Sequence, residues 1–192
     1  MKVTFDDFMS LPSKERKRIL NDPEEIKKLI RQNLSDHRYE HSLSTAETAR
    51  MLAQCHHVDP DKAYMAGLLH DCTKNFDEKF HDGYLKYYDP DKLTLPEWAK
   101  HSLTARYYVR EKLNYHDKDI LNAMYNHTLC SSRSKLALII FIADKREPQR
   151  GIDDDILETA RKDLYKAFDM LQEDIRRYIE KEKNERFVEN SL

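Results

Sequence analysis

Glycine is scarce in this chain: Gly67, Gly83 and Gly151 are the only three among 192 residues, and no two are near one another. A P-loop or a dinucleotide-binding fingerprint needs clustered glycines so that backbone can approach phosphate, and both are therefore excluded. Cysteine is equally sparse. Cys55, Cys72 and Cys130 are odd in number and widely spaced, leaving no CxxC pair and no disulfide framework. Long hydrophobic runs are missing as well: the longest, Leu136–Ala143, has eight residues, against the roughly 20 that a membrane span requires. Neither sign of charge dominates, with 33 Lys and Arg against 35 Asp and Glu and a net charge of −2. Such a balance gives no general pull toward nucleic acid or an anionic membrane. The opening MKVTFDDFMS carries acids where a signal peptide would be apolar. A cytoplasmic, reduced and soluble protein is expected, with neither nucleic-acid polymer nor membrane as partner.

What is present suits a single domain with one sizeable core, 40% hydrophobic and 35% charged. Repeated helix-start signals and few β-branched alternations point to an all-α fold. Asp22-Pro23-Glu24-Glu25 combines an N-cap, a proline at the first helical position and first-turn acids, so a helix is predicted from there to about Leu34. Asp59-Pro60-Asp61 repeats the device before a helix running through Leu69 and His70, and Thr94-Leu95-Pro96-Glu97 does so before Trp98 and His101. Asp117 caps a helix carrying Ile120, Ala123, Met124 and His127, and Ser132 or Ser134 starts the apolar helix that Pro148 ends. Ile156, Ala160, Leu164, Phe168, Leu171, Ile175 and Ile179 recur at spacings of three and four, which predicts one long last helix. Residues 75–93 are polar, aromatic and weakly periodic, and read as a loop or lid.

All nine histidines lie between residues 37 and 127. His70-Asp71 follows a run from Ala63 to Leu69 that should be buried. An ionised carboxylate there is costly unless it is paired, hydrogen-bonded or metal-bound. Imidazole and carboxylate together supply N and O ligands for a borderline divalent metal, and the bland alternative is an ion pair with Lys74. Asp144 closes the apolar run Leu136–Ala143 and shares a helix face with Ile140, so its carboxylate should point inward. Ligation is preferred there to a salt bridge with Lys145 or Arg146, which should project elsewhere on the helix. His41 sits on an amphipathic helix with Leu43, Ala46 and Ala49, either as a ligand or as a core-edge histidine; His37, four residues earlier, reads as the helix start. His101 and His127 fall near the start and end of two further helices, where ligands and hydrogen-bonded core histidines both occur. His56, His57, His81 and His116 read as surface or loop residues without a role.

Taken in order, His41, His70-Asp71, His101, His127 and Asp144 resemble the pattern of HD-domain metal-dependent phosphohydrolases. The HDxxK stretch His70-Asp71-Cys72-Thr73-Lys74 carries that likeness. The motifs His37-Arg38-Tyr39-Glu40-His41-Ser42, Ala66-Gly67-Leu68-Leu69-His70-Asp71, His127-Thr128 and Ile142-Ala143-Asp144-Lys145-Arg146-Glu147-Pro148-Gln149-Arg150 are similar to the YqeK family of symmetrical dinucleoside tetraphosphate hydrolases. Two departures stand out: Leu129-Cys130-Ser131 where the family has a glycine, and Ser134-Lys135 where it has a methionine.

The resemblance implies a helical bundle with a metal site between helices, over residues 30–180, preceded by an N-terminal helical extension at 1–29 and followed by a tail at 181–192. It implies one iron ion held by His41, His70, Asp71 and Asp144, with manganese, cobalt, zinc or magnesium as alternatives and a second divalent metal at His101 and His127 as another. Arg38, Lys74, Asn75, Phe76, Asp77, His101, His127, Thr128 and Arg150 are implied around the substrate, with Asp71, Lys74, His101 and His127 in the chemistry and Arg186–Asn190 closing over the base. The implied reaction is hydrolysis of diadenosine tetraphosphate to two ADP, in a monomer or a homodimer. The rival expectations are an HD phosphohydrolase for a nucleoside mono- or triphosphate or a guanosine alarmone, and a nucleotide-sensing module without turnover.

Overall fold

A computed structural model describes residues 3–148 and 155–189, with residues 182–189 as helical backbone alone. Ten α-helices and two short 3-10 turns follow in order, and no strand occurs among the described residues. The helices are α1 (Ser13–Leu20), α2 (Pro23–Ile30), α3 (Asp36–Cys55), α4 (Pro60–Leu69) and α5 (Glu78–Tyr88). They continue as α6 (Glu97–Lys112), α7 (Lys118–Asn126), α8 (Lys135–Arg146), α9 (Asp155–Ala160) and α10 (Leu164–Glu189).

Local cap chemistry sets most of the starts. Asp22, Asp59, Asp117 and Ser134 each accept backbone N–H bonds from the first turn they precede, an interaction worth about 1 kcal/mol per cap. Ser35 does the same for α3, and α2 stops at Ile30 instead of reaching Leu34 because a turn must intervene before that cap. Helix α6 begins at Glu97 behind Pro96, with no side-chain cap. The stretch read as a loop at 75–93 is largely helical: Asp77 caps α5 through the Phe80 N–H, and its aromatic residues pack on Tyr108 of α6. The long last helix is two, because Asp163 accepts from the N–H groups of Tyr165 and Lys166 and so starts α10 afresh. A side chain that competes for backbone donors interrupts a helix even where apolar periodicity runs through it.

Helices α3, α4, α7 and α8 pack together around the core, with α6 against α5 and α7, and α10 against α8 and α9. Helix α8 is apolar on every side, and Leu136–Ala143 are all buried, as expected of a helix surrounded by others. Residues before α3 share this core: Phe5, Phe8, Ile19, Ile26 and Leu29 belong to the same buried cluster. The seam between α3 and α4 is tight at Gly67, where a Cβ would lie 2.5 Å from the Ala46 Cα. No described helix is long and apolar enough to cross a membrane.

Candidate metal centre

Helices α3, α4, α6, α7 and α8 bring six histidine and aspartate residues, His41, His70, Asp71, His101, His127 and Asp144, into one cluster. His70 and His127 occupy equivalent places, each at the C-cap of its helix. Their Nδ1 atoms lie 2.6 Å from the Gly67 carbonyl and 2.7 Å from the Met124 carbonyl, one turn back in each case. A carbonyl only accepts, so Nδ1 carries the proton and Nε2 presents its lone pair inward. The helix end itself supplies these acceptors, since its last carbonyls have no partner within the helix. His41 is anchored differently: its Nδ1 is 3.2 Å from the buried carboxylate of Glu147, and its Nε2 is 3.0 Å from Asp144 Oδ1.

Two groups have ligand atoms mutually within 4.8 Å: His41, His70 and Asp71, and Asp71, His101 and His127. Asp71 is common to both. Asp144 adds its Oδ1 at 3.8 Å from His70 Nε2. The residues fit a divalent cation on one independent observation: His70 Nε2 is fully buried with no hydrogen-bond partner. Burying a polar atom unpaired costs about 1–3 kcal/mol, and a lone pair directed at a cation removes that cost. Burial pushes His70 down to about 4, and burial likewise lowers His101 and His127, so these imidazoles are neutral at neutral pH, as His70 must be to ligate. Burial also disfavours the charged forms of Asp71 and Asp144. The histidines around Asp71, and Lys145 with the histidines around Asp144, outweigh it and hold both carboxyls well below the usual range. His41 moves the other way. Burial lowers it, yet Asp144, Asp71 and Glu147 together raise it, which marks the space between His41 and Asp144 as one that favours positive charge.

The cluster opens into a cleft of about 670 Å³ bordered by Asp71, Asp144, His101, Arg38, Lys74 and Thr128. Arg38 Nη1 lies 3.5 Å from Asp71 Oδ2. Lys74 does not pair with Asp71 as its first choice; its Nζ is 3.0 Å from His101 Nδ1, whose ring turns Nε2 to Asp71 Oδ1 at 3.1 Å. Burial holds Lys74 below the ordinary lysine range. Thr128 Oγ1 stands 3.4 Å from His101 Nε2.

Other expected positions fall elsewhere. Asn75 is exposed, Asp77 caps α5, and Phe76 packs edge-on against Phe80 and Tyr108, so none of the three borders the cleft. Arg150 and the side chains of Arg186–Asn190 lie outside the described residues. Lys145 was expected to project away from Asp144, yet its Nζ is 3.0 Å from Asp144 Oδ2 and 2.8 Å from the His127 carbonyl. A flexible four-carbon stem lets the ammonium fold back over its own helix end. His81, expected on the surface, is buried, with Nδ1 2.8 Å from Thr104 Oγ1. Glu147 had no expected role, although its place three residues after Asp144, on the same helix face, was available as a signal. At Cys130 the backbone has φ of 43°. That left-handed conformation favours glycine, so the loop keeps a glycine-type turn without the glycine.

Comparison with known proteins agrees with this arrangement. The HD domain family matches residues 38–149, which contain every side chain placed in the cluster. The chain is 35% identical over 125 residues to a symmetrical bis(5'-nucleosyl)-tetraphosphatase of Halalkalibacterium halodurans, covering 64% of this chain and 67% of that one. It is 31% identical over 147 residues to a probable nicotinate-nucleotide adenylyltransferase/Ap4A hydrolase of Mycoplasma genitalium, covering 70% of this chain but only 41% of that longer protein. A crystal structure from Clostridium acetobutylicum, described as a predicted HD superfamily hydrolase involved in NAD metabolism, superposes with a TM-score of 0.78 at 30% identity, covering 84% of this chain and 89% of that one. With its paired buried His/Asp groups set between helices, this chain belongs to the HD-domain phosphohydrolases.

Proposed function

We propose that this protein hydrolyses diadenosine tetraphosphate symmetrically to two ADP, using one iron ion held by His41, His70, Asp71 and Asp144. The observation that carries the reading is the junction of that buried ligand cluster with a cationic cleft, Arg38, Lys74 and Lys145 lying beside Asp71 and Asp144. When bound, the metal would supply a water of lowered pKa and a Lewis acid toward a phosphoryl oxygen. The tetraphosphatase named among the relatives supports the substrate class.

The chain's own residues account for the rest. A phosphoanhydride resists attack because its oxygens are negative, and the Arg38 and Lys74 cations offset charge at the transferred phosphoryl group, Arg38 by a two-pronged hydrogen bond. Water oxygen bonds to the second phosphorus of the bridge, and the central bridging P–O bond breaks. His101 is suited to donate an Nε2–H hydrogen bond to the departing ADP oxygen, since Lys74 faces its Nδ1. Thr128 offers a hydroxyl to a phosphate oxygen beside it.

The test is anaerobic, iron-loaded protein incubated with diadenosine tetraphosphate, with products separated by chromatography. ADP alone is the expected product. ATP with AMP rejects the symmetrical register. Turnover of mononucleotides or an alarmone alone moves the assignment to another HD phosphohydrolase, and binding without product moves it to a sensing module. A second reading has its own support: Asp71, His101 and His127 form a ligand group of their own, and two metals per chain by elemental analysis would establish it.

A further inference from the structure

Several large aromatic side chains of this protein are sunk in its core, Phe8 and Phe168 almost completely. Trp98 and Tyr178 are not: they are 61% and 65% exposed. Scattered surface aromatics need no explanation, but these two border the same cleft as Asp71, Asp144 and the phosphate-facing cations. Trp98 stands on α6 three residues before His101, one helical turn along the axis, or about 5 Å. Tyr178 stands on α10 below Leu171 and Ile175, which also line the cleft. Spacings of three, four and seven put these α10 residues on a single face. That helix is anchored at its start by Phe168, which is packed on Phe141 of α8, so its cleft-facing side is carried on a fixed base. The cleft is therefore polar and cationic where it meets the ligand cluster, and, apart from Asp174, which pairs with Arg146, aromatic and aliphatic on the walls supplied by α6 and α10.

We propose that Trp98 and Tyr178 form a base-binding subsite, stacking the purine of a nucleotide whose phosphates lie against Arg38, Lys74 and the metal ligands. The proposal deepens the reading above and rests on the cleft taking nucleotide phosphates. A heterocyclic base is the occupant that matches: it is joined through one sugar to the phosphates, which the turn between Trp98 and His101 leaves room for. A volume of about 670 Å³ lies within the range of sites that take nucleotide-sized ligands. Stacking reads a π-face, which every base has, so this subsite adds affinity for a base while separating one purine from another only weakly.

Trp98 is the only tryptophan in the chain, and the metal-loaded protein therefore reports on the subsite without a label. ADP is expected to quench its emission, whereas inorganic pyrophosphate, added in amounts that displace ADP, is expected to leave the emission of the ADP-free protein unchanged. Trp98→Ala should weaken ADP binding about tenfold and leave pyrophosphate affinity unaltered, with Trp98→Phe recovering most of the loss. Tyr178→Ala should lower ADP affinity selectively in the same way. An ADP complex detected by calorimetry without any change in emission overturns the proposal, as does an equal loss of ADP and pyrophosphate affinity in Trp98→Ala. If neither ligand binds, the phosphate reading of the cleft and the base subsite fall together. If both bind with the expected selectivity but diadenosine tetraphosphate is not cleaved, the reaction assignment fails and the subsite stands.

Discussion

The two ligand groups of this centre contain the same residue types and share Asp71, yet one histidine of each, His70 and His101, is held in the opposite sense. In the group formed with His41 and His70, His70 gives its Nδ1 proton to a backbone carbonyl and turns a bare Nε2 inward, and neither imidazole borders the cleft. In the group formed with His101 and His127, His101 borders the cleft and its Nδ1 faces the Lys74 ammonium. An ammonium only donates, so the proton of a neutral His101 sits on Nε2, directed at Asp71. The group that meets the outer nitrogen thus decides what the inner one offers. A carbonyl produces a metal ligand, and an ammonium produces a hydrogen-bond donor. Residue type and spacing alone do not separate these outcomes.

Removing the shared member should produce the largest effect. Asp71→Ala is expected to lose bound metal, measured by elemental analysis, and to lower turnover of diadenosine tetraphosphate by about 10³-fold or more. The sharpest test of the asymmetry comes next. His101→Ala should keep its metal while losing about 10²- to 10³-fold in kcat, the contribution of a positioned hydrogen-bond donor, whereas His41→Ala should lose metal and activity together. Metal loss from His101→Ala would make His101 a ligand and erase the distinction. A smaller change is expected at the anchor of His41: Glu147→Gln should weaken metal affinity by about 10- to 100-fold, read by competition with a chelator. The smallest belongs to a pair outside both groups. Lys62 bridges Asp117 and Asp119 at the partly exposed start of α7; Lys62→Met should cost at most about 1 kcal/mol in denaturant unfolding and leave metal content unchanged.

Much of this centre was legible in the sequence because its signals are local. A proline behind Asp22 or Asp59 declares a helix start whatever the rest of the chain does. Asp71 and Asp144 stand out because each ends an apolar run that has to be buried. What was hidden depended on partners distant in sequence. Glu147 acquires its role only because folding brings it to His41, 106 residues away. His81 looked solvated until α5 formed and laid it on Thr104. The break between α9 and α10 was invisible to periodicity, since Ile156, Ala160, Leu164 and Phe168 all remain buried on either side of it. A helical wheel places Lys145 away from Asp144 because it describes where Cβ points and not how far a long stem reaches.

The close approach at Gly67 has a consequence for the ion. Helix α3 carries His41 and α4 leads to His70, and the two lie against each other where a single methyl on residue 67 would strike the Ala46 backbone. The gauge of the ligand cage is therefore machined into the core, by an absent atom that never meets the ion. Residues 46 and 67 should consequently emerge from any selection for altered metal preference, as calibration points for cation radius that sit outside the coordination sphere.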